Sequence, residues 1–182
     1  MQKSRSQTLK RILFSSLPPL FLWVGQANAQ DFLTVGARGG FSINSYSHRF
    51  QQAEAFAQFD LPWQWNFYSD WVLNPRIDVS AGYLNSQDIN AFVGTAGPLL
   101  ELRKGKFPLA LEGGSSPTIL SQYHFGNSDL GEDFQFTSHI GLTWYITDHL
   151  SFGYRFQHMS NAGLAKPNPG LNVEMLELSY HF

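Results

Sequence analysis

Two residues that could hydrolyse an ester, His158 and Ser160, stand two positions apart just before a Gly/Pro-rich turn. In a β-strand, side chains two positions apart project from the same face, with their Cα atoms roughly 6.5–7 Å apart. At that separation an imidazole can tilt toward a hydroxyl and take its proton. If this segment is a strand, it supplies the nucleophile and the base of a serine esterase.

The last segment of the chain offers a partner that could orient the imidazole. Asn172 and Glu174 share one parity with the four apolar residues Leu176, Leu178, Tyr180 and Phe182. A turn centred near Lys166 places Ser160 opposite Asn172 and His158 opposite Glu174, with opposed Cβ atoms about 4.5–5.5 Å apart. This register favours Glu174 as the orienting group. A register one pair away brings Asn172 to His158 instead.

A simpler interpretation of the same residues is that they mark a membrane boundary. Polar residues at the end of a membrane-spanning strand cost only about 0–1 kcal/mol near the interface. Spacing and parity alone favour this interpretation, because a His-x-Ser pair is common. The density of polar groups on one face, directly beyond an aromatic surface, is the observation against it.

Alternation with period two indicates how these residues are positioned. In the segment 134–146, the even positions are mostly apolar and the odd positions mostly polar. The same alternation starts again at residue 150, where one face carries Leu150, Phe152, Tyr154 and Phe156. Continued by two steps, that face reaches His158 and Ser160. The candidate pair therefore extends a stripe of apolar and aromatic side chains.

Similar patterns predict an all-β chain of about eight strands of roughly 9–13 residues, which suits the smallest transmembrane β-barrel. The predicted strands are 32–42, 50–61, 72–84, 89–103, 107–115, 134–146, a strand from residue 150, and 171–182, with a loop at 116–132. A soluble sandwich or a ligand-carrying barrel would also alternate. The polar opposite faces, which carry Gln135, Arg155 and Gln157, favour an eight-stranded antiparallel barrel in a membrane.

Residues 1–29 have the pattern of a secretory signal peptide, with a basic start, an apolar stretch and an Ala27-Asn28-Ala29 cleavage site. We expect a mature single domain of residues 30–182. The leader holds four of the twelve Lys and Arg residues and none of the fourteen acidic ones, so eight remain against fourteen and the mature net charge is −6. That charge argues against a nucleic-acid partner. The absence of cysteine excludes disulfides and thiol chemistry.

The run His158-Met-Ser-Asn-Ala-Gly163, followed by Lys166-Pro-Asn-Pro-Gly170, resembles the signature of the lipid A 3-O-deacylase (PagL) family of outer-membrane enzymes. The resemblance implies His158 as base, Ser160 as nucleophile, and an oxyanion hole linked to Asn161 with N–H groups of Ala162 and Gly163. It also implies hydrolysis of the ester-linked 3-hydroxyacyl chain at position 3 of lipid A. The implied partners are lipid A or lipopolysaccharide and the outer-membrane lipids.

The sequence departs from this family at one position. The best-known members have the acid that orients the histidine where this chain has Asn172. An amide can hold an imidazole but cannot stabilise its positive form. The third catalytic residue is therefore Glu174, which the hairpin register favours, or Asn172, which the family register favours.

Other features of the chain bear on partners and cofactors. The final Phe182 resembles the signal that outer-membrane barrels present to the barrel-assembly machinery. His139 faces inward by parity, and we expect it to be a hydrogen-bonded residue of the barrel lumen. Arg155 and Glu177 also face inward, and we expect them to pair inside the lumen with Arg38 or Arg76. No metal or cofactor is expected. The rival functions are a structural or adhesive barrel, and a phospholipase or acyltransferase with the same Ser-His pair; the expected oligomeric state is a monomer or a weak homodimer.

Overall fold

The computed structural model describes residues 33–43 and 48–182. The predicted leader, with its cleavage site before Gln30, lies outside the described residues. No helix in the described part of the chain is long and apolar enough to cross a membrane. The regular structure there consists of β-strands and one 3-10 turn at Tyr68–Asp70.

Eight long antiparallel strands close into a barrel. They are β1 (Leu33–Ser42), β2 (Gln51–Asp60), β3 (Trp71–Ser86), β4 (Ile89–Lys104), β5 (Leu109–Leu120), β6 (Phe134–Tyr145), β7 (Leu150–Ser160) and β8 (Leu171–His181). Each pairs with the next along the chain, and β8 pairs with β1, placing Tyr180 opposite Val35. This last pairing removes the two edges that an open sheet would expose. The predicted eight-stranded antiparallel barrel is confirmed.

One strand boundary differs clearly from the prediction. The strand predicted at 107–115 and the loop predicted at 116–132 become β5, which runs on to Leu120, and a loop of residues 121–133. Ser116, Pro117 and Thr118 are typical of a turn in isolation. In the barrel, Pro117 lies opposite Phe136, and the Thr118 hydroxyl is 2.7 Å from that of Thr137. Pairing with β6 overrides the local turn propensity.

The two ends of the barrel carry different connections. One end, called the loop end here, carries the loops 121–133 and 161–170 and the tight β3–β4 turn. The 121–133 loop contains a small hairpin in which His124–Phe125 pairs with Ser128–Asp129. At the other end, called the terminal end, β1 begins and β8 ends. Long loops on one side and both strand termini on the other are typical of outer-membrane barrels.

The outer wall of the barrel is apolar over most of its height. Side chains alternate strictly along β7 and β8, so that Phe152, Leu176 and Leu178 are exposed while their neighbours are buried. At the terminal end, exposed aromatic side chains form a girdle: Trp63, Trp65, Tyr68, Trp71 and Trp144. An apolar band bounded by aromatic residues is the surface that a lipid bilayer covers.

An apolar core fills the inside of the barrel near the loop end. Its buried members come from the strands β3, β4, β5, β7 and β8 and from loops at this end, and include Phe50, Leu84, Val93, Leu120, Phe125, Leu130, Met159, Leu171, Val173 and Met175. Met159 and Leu171 lie opposite each other on β7 and β8. Each is the inward neighbour of an outward polar residue. The core therefore packs directly behind His158, Ser160 and Asn172 and holds their strands in place.

Charged side chains fill the middle of the interior. The Arg38 guanidinium lies 2.6 Å from Glu54, 3.2 Å from Asp78 and 3.6 Å from Glu177. The predicted interior ion pair between Glu177 and Arg38 is therefore confirmed. Arg155 also lies 3.6 Å from Glu177. His139 is buried as predicted, with its Nδ1 2.8 Å from Arg155. Buried charges are tolerated here because each has partners of opposite charge.

Candidate active site

His158 and Ser160 lie on the outer wall at the loop end of β7, as their parity predicts. His158 is exposed and Ser160 half-buried, whereas Gln157, Met159 and Asn161 beside them are buried. Both side chains project from the same face of the same strand. Within the described residues, no hydrogen bond joins the Ser160 hydroxyl to the imidazole, and such bonds are often long before substrate binds.

The pairing of β7 with β8 contradicts the predicted register. His158 lies opposite Asn172, and Glu174 lies opposite Phe156. The pairing is symmetric about residue 165 rather than Lys166, and moving the centre of a hairpin by one residue moves every partner by two. The expectation that Glu174 lies beside His158 is therefore wrong. The internal structure of the 161–170 loop decides this register, and strand periodicity alone does not contain it.

The imidazole of His158 is held by Asn172. Nδ1 of His158 lies 2.7 Å from Oδ1 of Asn172. An amide oxygen only accepts, so this contact requires the tautomer in which Nδ1 carries the proton. In that tautomer Nε2 carries a lone pair and can take a proton from a hydroxyl. Asn172 thus fixes the form of His158 that a general base needs.

Gly170 provides the space that the imidazole occupies. A Cβ atom at this position would lie 2.6 Å from Cε1 of His158 and 3.4 Å from Nε2. Gly170 also has a φ of 68°, in the left-handed region that favours glycine. The ring therefore leans over the β8 side of β7, between Asn172 and Gly170. The sequence-based prediction placed Gly170 only in a turn and assigned it no contact with the site.

Glu174 belongs to a separate groove on the outer wall. Glu174 lies one outward-facing pair further from the loop end than His158. Its exposed carboxylate faces the hydroxyl of Tyr154. The groove has a volume of about 640 Å³, and its floor includes Gly39 and Gly40 of β1. Phe41 and Leu176 form part of its walls. Glu174 is near the candidate site but lies opposite Phe156 rather than His158.

The three predicted oxyanion-hole residues have different environments. Asn161 is fully buried, and its amide nitrogen lies 3.2 Å from the carbonyls of Ala165 and Pro167. Its side-chain oxygen accepts a 2.9 Å hydrogen bond from the Gly163 N–H. These contacts engage the side chain of Asn161 and the N–H of Gly163 inside the loop. The link of Asn161, Ala162 and Gly163 to an oxyanion hole stays a prediction. Ala162, exposed and with a φ of 53°, is the member of the three whose N–H has no partner among the described residues.

Two serines that the sequence-based prediction did not single out complete a polar row beside His158. Ser138 of β6 lies directly opposite His158, and Ser115 of β5 lies directly opposite Ser138. Both are exposed, and their hydroxyl oxygens are 2.9 Å apart. The sequence did indicate that Ser138 is unusual, because it is the polar residue among the otherwise apolar even positions of segment 134–146.

The site contains no evident place for a metal ion. Within residues 33–43 and 48–182, no three histidine, aspartate or glutamate side chains come together closely enough to bind one.

Comparisons with known proteins show the family to which the chain belongs. Residues 51–181 match the family model described as lipid A 3-O-deacylase (PagL). Lipid A deacylase PagL of Bordetella bronchiseptica is 40% identical over 72 residues, and the match spans 40% of this chain and 40% of that relative. The crystal structure of the outer membrane enzyme PagL superposes with a TM-score of 0.70 at 22% identity, covering 82% of this chain and 99% of that one. The family model spans the strands β2 to β8 and the whole candidate site, and the chain belongs to the lipid A 3-O-deacylase (PagL) family.

Proposed function

We propose that this protein is a serine esterase of the bacterial outer membrane that hydrolyses the 3-hydroxyacyl ester at position 3 of lipid A. The observation that carries the proposal is the 2.7 Å contact between His158 and Asn172, on the same outward face as Ser160. A histidine fixed by a hydrogen bond on the lipid-facing wall has no evident structural purpose there. Membership of a deacylase family supports the reaction, and the name of the solved relative supports the location.

The apolar outer wall supports a substrate that reaches the site from within the membrane. Exposed side chains such as Ile140, Leu142, Phe152 and Leu176 form a continuous surface between the site and the terminal end. Acyl chains of a glycolipid would lie along this surface, with the ester at the level of Ser160. Because the bilayer already concentrates and aligns the ester, proximity contributes a large part of the catalysis.

The exposed Phe182 at the end of β8 supports recognition by the barrel-assembly machinery.

The mechanism follows from the roles of three side chains. Ser160 attacks the ester carbonyl, and Nε2 of His158 takes the hydroxyl proton and gives it to the departing sugar oxygen. Asn172 keeps the imidazole in the required tautomer throughout. The Ala162 N–H is the donor for the oxyanion, while Asn161 positions the backbone that carries it. Water activated by His158 then releases the 3-hydroxy fatty acid from Ser160.

The amide at position 172 lowers the expected rate without changing the mechanism. In a serine protease, replacing the corresponding acid by an amide lowers turnover about 10⁴-fold, partly because the wrong tautomer is stabilised. Here Oδ1 of Asn172, rather than its nitrogen, faces Nδ1, so the correct tautomer is kept. What is missing is the negative charge that would stabilise the imidazolium. We therefore expect an active but slow enzyme.

Mass spectrometry of lipid A from cells producing the protein tests the proposal. The wild type should remove one 3-hydroxyacyl group, Ser160→Ala should not, and Ser151→Ala should behave as the wild type. Ser151 is a matched control because it lies on the same strand but is buried on the inward face. Intact lipid A with the wild type would contradict the deacylase, and would leave the structural barrel as the better interpretation. Lysophospholipid or acyl transfer instead of free fatty acid would favour the phospholipase or acyltransferase.

A further inference from the structure

Four polar side chains form one row across the outer wall. Ser115, Ser138, His158 and Asn172 lie on four consecutive strands, each directly opposite the next. The neighbouring rows differ in character. The next row toward the loop end contains Pro117, Phe136 and Ser160. In the next row toward the terminal end, Ile140 lies opposite Phe156. His158 and Asn172 have roles in the proposed reaction, whereas Ser115 and Ser138 do not yet have one.

The two serines together retain one hydroxyl proton for a third partner. Their oxygens are 2.9 Å apart, so one hydroxyl donates to the other. Each serine has one donor, and a pair of hydroxyls therefore uses one proton and leaves the second. Both side chains are exposed on a wall that faces lipid. A donor in that environment gains most from an acceptor on a bound molecule, since hydrocarbon offers none.

Ser138 lies on the side of Ser160 that is open to substrate. Ser160 is opposite Phe136, which makes Ser138 its diagonal neighbour, and diagonal Cα atoms are about 7–8 Å apart. The imidazole leans the other way, over Asn172 and Gly170. A substrate whose ester is attacked by Ser160 therefore extends over β6. Its next polar group then lies close to the Ser138 hydroxyl.

We propose that Ser138, supported by Ser115, is a specificity-determining residue that donates a hydrogen bond to an amide carbonyl on the carbon adjacent to the scissile ester. This inference rests on the proposed function. A glucosamine lipid carries an amide-linked acyl chain next to its 3-O-acyl chain, and the two carbonyls are joined by a short series of single bonds that fits the Ser160–Ser138 spacing. An amide oxygen is a stronger acceptor than an ester oxygen. The contact thus favours an N-acyl, O-acyl sugar over a diacylglycerol lipid.

Two synthetic substrates separate this role from a general effect on catalysis. One is a 2-N-acyl, 3-O-acyl glucosamine phosphate, and the other is the same sugar with an ester in place of the amide. With the purified full-length protein in detergent, the wild type should prefer the amide substrate. Ser138→Ala should lower kcat/KM for the amide substrate about three- to tenfold, the usual range for one neutral hydrogen bond, and change the ester substrate little.

Two further variants serve as matched controls. Ser138→Thr keeps the hydroxyl and should keep the preference for the amide. Ser115→Ala leaves the Ser138 hydroxyl in place and should reduce the preference less than Ser138→Ala does. A heat-dependent shift in gel mobility reports whether each variant forms the folded barrel. If Ser138→Ala does not fold, the preference of the wild type for the amide substrate still tests the proposal.

Each outcome has a distinct meaning. Equal hydrolysis of the two substrates by the wild type, or unchanged selectivity in Ser138→Ala, overturns the inference and leaves the esterase intact. An equal loss on both substrates in Ser138→Ala also overturns it, because Ser138 would then act on His158 or on the wall. No hydrolysis of the amide substrate by the wild type overturns the proposed function itself, and the inference with it.

Discussion

His158 and Asn172 face each other across the last hairpin, with Nδ1 and Oδ1 2.7 Å apart. Glu174, on the same face of β8, lies one pair away, opposite Phe156. This register makes the neutral amide, rather than the carboxylate, the group that orients the imidazole of His158. Substitutions at positions 172 and 174 should therefore have different effects on activity.

Asn172→Ala should lower kcat for lipid A deacylation at least tenfold, because the imidazole loses the hydrogen bond that fixes its orientation and tautomer. Glu174→Ala, the matched change on the same face, should stay within about threefold of the wild type, a range below the cost of one lost hydrogen bond to a charged group. Release of 3-hydroxy fatty acid from purified lipid A is the measurement. An inactive Glu174→Ala beside an active Asn172→Ala would reverse the assignment.

Asn172→Asp should raise kcat by about ten- to a hundredfold. Aspartate has the length of asparagine, so the hydrogen bond is kept, and its negative charge stabilises the imidazolium that forms during attack. The double variant Asn172→Asp, Ser160→Ala should be inactive, which shows that the gain acts through the same nucleophile. A slower Asn172→Asp enzyme would argue against a triad in which position 172 orients the base.

Gly170→Ala should lower kcat more than tenfold, because the new methyl group would meet Cε1 of His158 at 2.6 Å. It also forces a non-glycine residue into a left-handed conformation, at a cost of about 1–2 kcal/mol in folding stability. Gly105→Ala is the matched control, since Gly105 has a φ of 47° at the opposite end of the barrel and its Cβ would have ordinary contacts. Equal activity of the two variants would show that only backbone strain matters.

Asn161→Asp should be more damaging than Asn161→Ala, although aspartate is the closer match in shape. The amide nitrogen of Asn161 faces the carbonyls of Ala165 and Pro167, and a carboxylate oxygen in its place would be repelled by both. Limited proteolysis of the 161–170 loop should be faster in both variants than in the wild type. A protease-resistant loop with lost activity would instead point to a direct role of Asn161 at the oxyanion.

Arg38→Met should destabilise the barrel by about 3–5 kcal/mol, because it removes the nearest cation from the buried carboxylates of Glu54 and Asp78 and leaves Asp78 only the more distant Arg155. Urea unfolding in lipid bilayers measures this difference. Arg49→Met is the control, since Arg49 is exposed and lies near the ring of Phe41 on the outside. At temperatures where Arg38→Met is folded, its deacylation rate should equal that of the wild type, because Arg38 lies in the interior and does not contact the site.

Strand periodicity was sufficient to predict most of the fold. Apolar and polar residues alternate so regularly in β6, β7 and β8 that the exposed and buried faces follow directly from the sequence. The outward position of His158 and Ser160 could be predicted for the same reason. The extent of β5 could not, because Ser116, Pro117 and Thr118 form a strand only when β6 pairs with them.

The sequence by itself determined which residues of these strands face outward, and it predicted His158 and Ser160 as base and nucleophile. Only the tertiary structure decided which residue holds the imidazole of His158. That choice depends on the register of the β7–β8 hairpin, and the register depends on the folding of a ten-residue loop around the buried amide of Asn161. The same is true of Gly170 and Ser138, because their contacts with the site cross between chain segments. Periodicity describes one strand at a time, whereas a catalytic site requires the alignment of several.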